Sequence, residues 1–375
     1  MGFSNKSKLL VVDDSAFMRK LISDFFVGNT KVEVVGTARN GKDAIKKIQS
    51  LMPDVVTMDV EMPELNGLDA LKEIMRESPV PVIMLSSTTL QGAENALKAM
   101  EYGAVDFVAK PSGTISLDLH KIKAELVQKV EHAAHVSVTK LQKTNFTPAP
   151  IPKNQDIRFV NNPITQVAPI VNKDVLKKNG WNQLAKKIVL IGTSTGGPRA
   201  LQEVITKLPS NIKAPILIVQ HMPAGFTKSL SDRLNQLSQV KVKEAEDGDL
   251  LQNGVAYVAP GGKHLKLVKR ASSYQVVLDQ TEPPRSGHRP SVDVMFESVS
   301  KITDMDKVAV IMTGMGSDGS KGLMQLKQNG NVMAIAESEK TCIVYGMPKA
   351  AVETQLVNEI VDVDNIAEAI MKYLP

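Results

Sequence analysis

Two long stretches of the chain alternate short apolar runs with helix-period patterns, and a third stretch between them does neither. In the first, aliphatic runs at 9–12, 32–35, 55–58, 82–85 and 105–108 are followed by amphipathic patterns at 16–26, 42–51, 68–77, 93–100 and 117–132. Short β-branched runs bounded by turn residues predict buried strands. Apolar positions spaced three and four apart predict one-sided helices. Repeated strand-then-helix units predict a doubly wound parallel sheet, with chemistry gathered at the carboxyl ends of its strands.

The pattern lapses from about 134 to 182. Here Pro148, Pro150, Pro152, Pro163 and Pro169 punctuate a stretch rich in Asn, Gln, Thr and Lys, which predicts a linker. It resumes at 183 with strands expected at 188–191, 216–219, 240–242, 308–312 and 332–335, and helices at 226–237, 292–300, 322–329 and 367–373. The runs 255–258, 265–268 and 275–278 predict an antiparallel hairpin region inserted in a second α/β sheet. The expected division is 1–133, a linker over 134–182, and 183–375.

Composition changes this picture in two places. Aromatic residues make up 4% of the chain, so both cores must be aliphatic, as α/β sheets allow. The net charge of +5 suggests a polyanion partner until it is located. Between residues 136 and 187 nine Lys and Arg face only Asp156 and Asp174, which exceeds the whole surplus. The basic character therefore belongs to the linker, and no helical pattern of the second domain is basic enough for a DNA-recognition helix. The single cysteine, Cys342, cannot form an internal disulfide. No apolar run reaches membrane-spanning length, and the start lacks a signal-peptide core. A cytoplasmic protein with no nucleic-acid partner and no membrane insertion is expected.

The first domain carries Asp13 and Asp14 after its first strand, Asp59 closing the third, Ser86 closing the fourth and Lys110 after the fifth. A lone Asp there is usually a helix cap. Three carboxylates on one rim would repel, so they call for a hard divalent cation such as Mg²⁺. A lysine and a hydroxyl beside it suit phosphoryl oxygens, and Asp59 could form an acyl phosphate. The runs VVDDS, TMDVEMPELNG, MLSS and FVAKP, in this order, resemble the receiver domain of two-component response regulators. That resemblance implies a flavodoxin-like fold, phosphorylation at Asp59, and Mg²⁺ on Asp13, Asp14, Asp59 and the Glu61 carbonyl. It also implies Ser86 and Lys110 at the phosphate, and Phe107 as an aromatic switch residue.

In the second domain KIVLIGTSTGGPRA reads as a buried strand, a turn, and a helix opened by Pro198. Ser194 on that turn fits the nucleophile-elbow pattern Gly192-x-Ser194-x-Gly196, although such a turn can also cradle a phosphate. A nucleophilic serine needs a base and an orienting carboxylate. His221 ends a buried strand on the same expected rim, whereas His264 and His288 lie in the hairpin region and a loop. Asp318 follows another buried strand, with Asp293 as its rival near a helix start. Gly314, Gly316 and Gly319 leave the backbone at Met315 free for close approach, making its N–H a candidate oxyanion donor. A glycine-rich nucleotide crevice is the alternative, though it lacks a Walker lysine.

The runs IGTSTGGP, QHMP, RPSVDV, TGMGSDG and YGMP, behind a receiver, resemble the chemotaxis protein-glutamate methylesterase family. Thr193 stands where alanine is common, and the linker is longer and more basic. The resemblance implies a Rossmann-like catalytic domain with Ser194, His221 and Asp318 as triad, and Met315 and Thr195 at the oxyanion. It further implies ester hydrolysis and glutamine deamidation on chemoreceptors, no cofactor at the esterase site, a chemotaxis histidine kinase as phosphodonor, and inhibition by the unphosphorylated receiver.

Overall fold

The computed structural model describes residues 6–110, 118–142, 181 and 185–375. The first sheet comprises β1 (Ser7–Val12), β2 (Val32–Ala38), β3 (Val55–Asp59), β4 (Val82–Ser86) and β5 (Asp106–Ala109) in the parallel order β2-β1-β3-β4-β5. Strands β1 and β3 to β5 read as apolar runs because helices cover both faces: Leu9 to Val12 are fully buried. Four of those helices, α1 (Ala16–Phe25), α2 (Gly41–Leu51), α3 (Gly67–Glu77) and α4 (Leu90–Glu101), are N-capped by Ser15, Asn40, Asn66 and Thr89. Each cap oxygen accepts from a backbone N–H three residues on. Helix α5 (Asp118–Ala133) follows, then the short α6 (Val138–Gln142). Most of the expected linker, with its five prolines, lies outside the described residues.

The second sheet is larger. It contains β6 (Lys187–Thr193), β7 (Ile216–Gln220), β8 (Lys241–Glu244), β9 (Val255–Val258), β12 (Asp306–Ile311), β13 (Val332–Glu337) and β14 (Glu359–Val361). They pair in parallel in the order β14-β13-β12-β6-β7-β9-β8. Strands β10 (His264–Arg270) and β11 (Ser273–Asp279) form a separate antiparallel hairpin. The expected meander is corrected here: residues 255–258 belong to the parallel sheet, because all four are buried between β7 and β8. The helices are α7 (Gly197–Ile205), α8 (Phe226–Leu237), α9 (Val292–Ser300), α10 (Ser320–Gln328), α11 (Met347–Glu353) and α12 (Val363–Met371).

The order in which strands are added reverses between β1 and β3 in the first sheet and between β6 and β12 in the second. Such switch points open a crevice at the carboxyl ends of the strands. Asp13 and Asp59 follow the first pair, Ser194 and Asp318 the second. The two domains touch directly, with α4 lying against α7 and α8.

Candidate active site

At the first rim Lys110 Nζ lies 3.0 Å from Asp13 Oδ2 and 2.6 Å from Asp59 Oδ2. One carboxylate oxygen each of Asp13, Asp14 and Asp59 falls within 4.8 Å of the others. Asp13 Oδ2 is buried and, apart from Lys110, lacks a donor among the described residues. A buried carboxylate oxygen short of donors, beside two more carboxylates, fits an oxygen-seeking divalent cation. Burial pushes the Asp59 carboxyl up to about 6 and Asp13 adds to this, while Lys110 pulls it back down. The Ser86 hydroxyl donates to Gly92 O at 2.7 Å. Phe107 is buried and meets the other domain, as described below.

The second rim is built around Ser194. Its N–H donates to Thr313 O at 3.0 Å, and its carbonyl accepts from Gly197 N–H at 2.7 Å and Gln220 Nε2 at 2.9 Å. The turn needs its glycines: Gly196 has φ +78°, and a Cβ on Gly197 would lie 1.9 Å from Gln220 Oε1. Gly314 backs directly onto the serine, since a Cβ there would lie 2.7 Å from Ser194 Cβ. The N–H of Met315 has no hydrogen-bond partner among the described residues.

His221 and Asp318 meet as expected, with Nε2 to Oδ2 at 2.8 Å. The Nδ1 atom of His221 is buried and unpartnered, and no hydrogen bond yet joins it to the Ser194 hydroxyl. Asp318 also accepts from the Ser291 hydroxyl at 2.8 Å and from the Val292 and Asp293 N–H groups at 2.7 and 2.9 Å. Its carboxyl is 2% exposed, which opposes ionisation. The His221 hydrogen bond and charge, with these N–H groups at the α9 N-terminus, outweigh that and hold it well below the usual carboxylate range.

The rival carboxylate has a different task. Asp293 Oδ1 accepts from Gly319 and Gly322 N–H at 2.9 and 2.7 Å, so it caps α10. Burial raises its carboxyl to about 6. His264 is buried and bonds Pro283 O. His288 is closer than sequence reasoning placed it. Its ring stacks on His221 with centroids 3.8 Å apart and planes at 10°, and burial holds it down to about 3, neutral against its neighbour.

The first domain covers this rim. Thr195, expected beside the oxyanion, donates its hydroxyl to Asp106 Oδ2 of β5 at 2.7 Å, and Asp106 is paired with Lys129 at 3.2 Å. Phe107 stacks on Phe226 with centroids 4.6 Å apart. Glu101 of α4 pairs with Arg233 of α8 at 2.8 Å. From α6, Lys140 donates to the carbonyls of Glu339 and Cys342, and Arg199 reaches Leu141 O. None of these cross-domain pairs was legible beforehand. Asp106 was hidden as one more residue of an apolar strand.

Both domains match known families. The response regulator receiver domain model matches residues 9–120, and the CheB methylesterase model matches residues 189–370. A protein-glutamate methylesterase/protein-glutamine glutaminase of Geobacillus kaustophilus is 53% identical over 367 residues, covering 98% of each chain. The one of Bacillus subtilis is 53% identical over 363 residues, covering 97% of each. The chain belongs to the protein-glutamate methylesterase/protein-glutamine glutaminase family. It is a chemotaxis methylesterase and glutaminase carrying a receiver domain. The crystal structure of the Thermotoga maritima CheB methylesterase catalytic domain is 42% identical, covering 51% of this chain and 100% of that one with a TM-score of 0.49. The receiver match spans Asp13, Asp14, Asp59, Ser86, Phe107 and Lys110, and the methylesterase match spans Ser194, His221 and Asp318.

Proposed function

We propose that Ser194, His221 and Asp318 form the catalytic triad that hydrolyses glutamate γ-methyl esters of chemoreceptors, under control of the receiver. The His221–Asp318 pair at 2.8 Å on the rim beside Ser194 carries this reading. With Nε2–H donated to Asp318, Nδ1 of His221 holds the free lone pair and is the base. Hydrogen bonds of this kind often close only around substrate, so the unmade serine contact suits a resting enzyme.

Ser194 Oγ attacks the ester carbonyl carbon while His221 Nδ1 takes its proton. The oxyanion is met by the Met315 N–H, with the Thr195 turn assisting. Collapse breaks the C–OCH₃ bond, and His221 returns the proton so that methanol leaves. Water then attacks the acyl-enzyme, giving its proton through His221 to Ser194 and freeing the glutamate. A receptor glutamine follows the same course with ammonia as leaving group. Asp318 stays ionised and stabilises the imidazolium at each stage.

Asp13, Asp14, Asp59 and the Glu61 carbonyl would hold Mg²⁺, which would offset the repulsion between these carboxylates and an incoming phosphoryl group. Asp59 is the phosphoacceptor for a chemotaxis histidine kinase, with Ser86 and Lys110 answering the phosphate. Phosphorylation adds about −1.5 to −2 charge to the end of β3, two strands away from the covering strand β5. Tenfold activation needs about 1.4 kcal/mol of differential stability between covered and open arrangements. We assign 1–133 to the receiver, 134–182 to the linker and 183–375 to the catalytic domain, acting in the cytoplasm. Among the described residues no helix is long and apolar enough to cross a membrane.

Methanol release from methylated receptor membranes tests the reading. Ser194→Ala is expected to abolish it with or without a small phosphodonor and Mg²⁺; retained release removes the triad.

A further inference from the structure

A buried carboxylate outside the triad lies directly behind the expected oxyanion loop. Glu337 ends β13 at the same sheet edge as Ser194 and is 1% exposed. Its Oε2 accepts from the Thr313 N–H at 2.8 Å, and its Oε1 accepts from the Thr341 hydroxyl at 2.9 Å. An apolar strand, VMAIAE, thus delivers a charge-bearing group into the interior, where burial is costly unless the group is bonded. Burial lifts its carboxyl to about 7, against the pull of those two donors, Cys342 and Lys140.

What Glu337 holds is the residue that joins two loops of the site. Thr313 accepts the Ser194 N–H on its carbonyl at 3.0 Å. Its hydroxyl donates to Thr195 O at 2.9 Å and accepts the Val344 N–H at 3.0 Å. The next residue, Gly314, donates to Val344 O at 3.0 Å, and the one after is Met315. Thr313 therefore fixes the serine turn to the loop bearing the Met315 N–H, and its own amide is anchored by Glu337. Two catalytic groups from different strands can keep a fixed separation only if something rigid spans them.

We propose that Glu337 is a positioning residue for the hydrolysis: by anchoring the Thr313 amide it sets the Met315 N–H relative to Ser194. This rests on the reading of Ser194 as nucleophile. A hydrogen bond to the amide requires an acceptor oxygen at this place, not a charge. Glutamine supplies that oxygen with the same shape, whereas methionine fills the space and supplies none.

The experiment uses the full chain with Mg²⁺ and a small phosphodonor, measuring methanol release and the rate at which a fluorophosphonate labels the serine. Glu337→Met is expected to lower kcat ~10-fold or more, within the ~10²–10³ seen when an oxyanion donor is lost altogether. KM is expected to stay within about twofold, since ground-state binding is untouched. Labelling slows in parallel, because the phosphonyl oxygen uses the same donor. Glu337→Gln is expected to keep kcat within about threefold of the parent. Thermal unfolding of both variants separates positioning from collapse: a Met variant that is folded and slow supports the proposal. A folded Met variant with parental kcat overturns it, and so does a folded Gln variant as slow as Met. If Met does not fold, Glu337→Asp, which draws the oxygen back by one methylene, takes its place: a folded, slow Asp variant supports the proposal and a folded one with parental kcat overturns it. Ser194→Ala run beside them keeps the two readings apart: activity there defeats the triad, whereas a dead Ser194→Ala with parental Glu337→Met defeats this proposal only.

Discussion

The two domains share a sheet plan but cap their helices differently. In the receiver, Ser15, Asn40, Asn66 and Thr89 each cap the helix that they immediately precede. In the catalytic domain α7, α8 and α10 start at Gly196, Gly225 and Gly319, all with positive φ and no side-chain cap. Its α9, in addition to its own Ser291 cap, and its α10 take carboxylates from elsewhere in the chain. Asp318, just ahead of α10, bonds the first turn of α9, while Asp293 in that turn bonds the start of α10. A local cap fixes one helix. A reciprocal pair fixes two helices against each other and leaves one oxygen of Asp318 2.8 Å from His221. The receiver's rim is held by opposed charges that an arriving phosphoryl group can rearrange. On the catalytic rim Asp318 is held by neutral donors, and the contact between His221 and Ser194 is what is left to close.

The sharpest break of that contrast is Asp318→Asn. An amide oxygen in the Oδ1 place keeps the Ser291 and Asp293 donors, but its NH₂ would face both the Val292 N–H and His221 Nε2 and would drive the ring proton to Nδ1, where the base is needed. Loss of the orienting carboxylate is expected to lower kcat for methanol release ~10³–10⁴-fold. A loss under tenfold would mean that the pair serves packing alone.

The matching change on the receiver rim is smaller. Asp59→Asn is expected to remove stimulation by phosphodonor, measured as the ratio of methanol-release rates with and without it. It also has a stability signature. Folding raises the Asp59 carboxyl from 3.8 to about 6, so between these values the folded chain keeps a proton that the unfolded chain has lost. Stability contributed by this group therefore falls as pH rises through that window, and the penalty is complete above about 6. Asn carries no such penalty. Near neutral pH the variant is expected to be stabler by up to about 3 kcal/mol, at about 1.4 kcal/mol per pKa unit. Denaturant melts at acid and neutral pH check this: equal stability at neutral pH would show that the ionised carboxylate carries no net burial cost.

Local signals in the sequence were enough for most of the fold. The alternation of apolar runs and amphipathic helices located strands β1 to β7 and α8 and α9 to within a few residues, since each is long or strongly one-sided. Strand β14 is three residues at a sheet edge between polar neighbours, and α11 is a short helix opened by Met347-Pro348; neither has a period to find. Residues 255–258 look the same in a hairpin or a parallel sheet, and only tertiary pairing decides. Ser194, His221 and Asp318 were legible as candidates because each closes or follows an apolar strand on one rim. Their orientation was not, because which ring nitrogen of His221 meets Asp318 is fixed only by how the two loops pack in space. Glu337 passed unnoticed although it, too, closes an apolar strand. The cover over Thr195 has no local signature at all, since Asp106 and Glu101 are matched to Thr195 and Arg233 only in space.

That cover is the account's central claim, and the pair between Glu101 and Arg233 tests it most directly because neither residue touches the chemistry. The side chains are 23% and 40% exposed, so the pair contributes at most about 1 kcal/mol. Without phosphodonor, Arg233→Glu should turn attraction into repulsion and raise basal methanol release ~2–5-fold. Adding Glu101→Arg should return it to the parental rate. Basal rates unchanged in both variants, or raised in the single and not restored in the double, would contradict closure by the receiver.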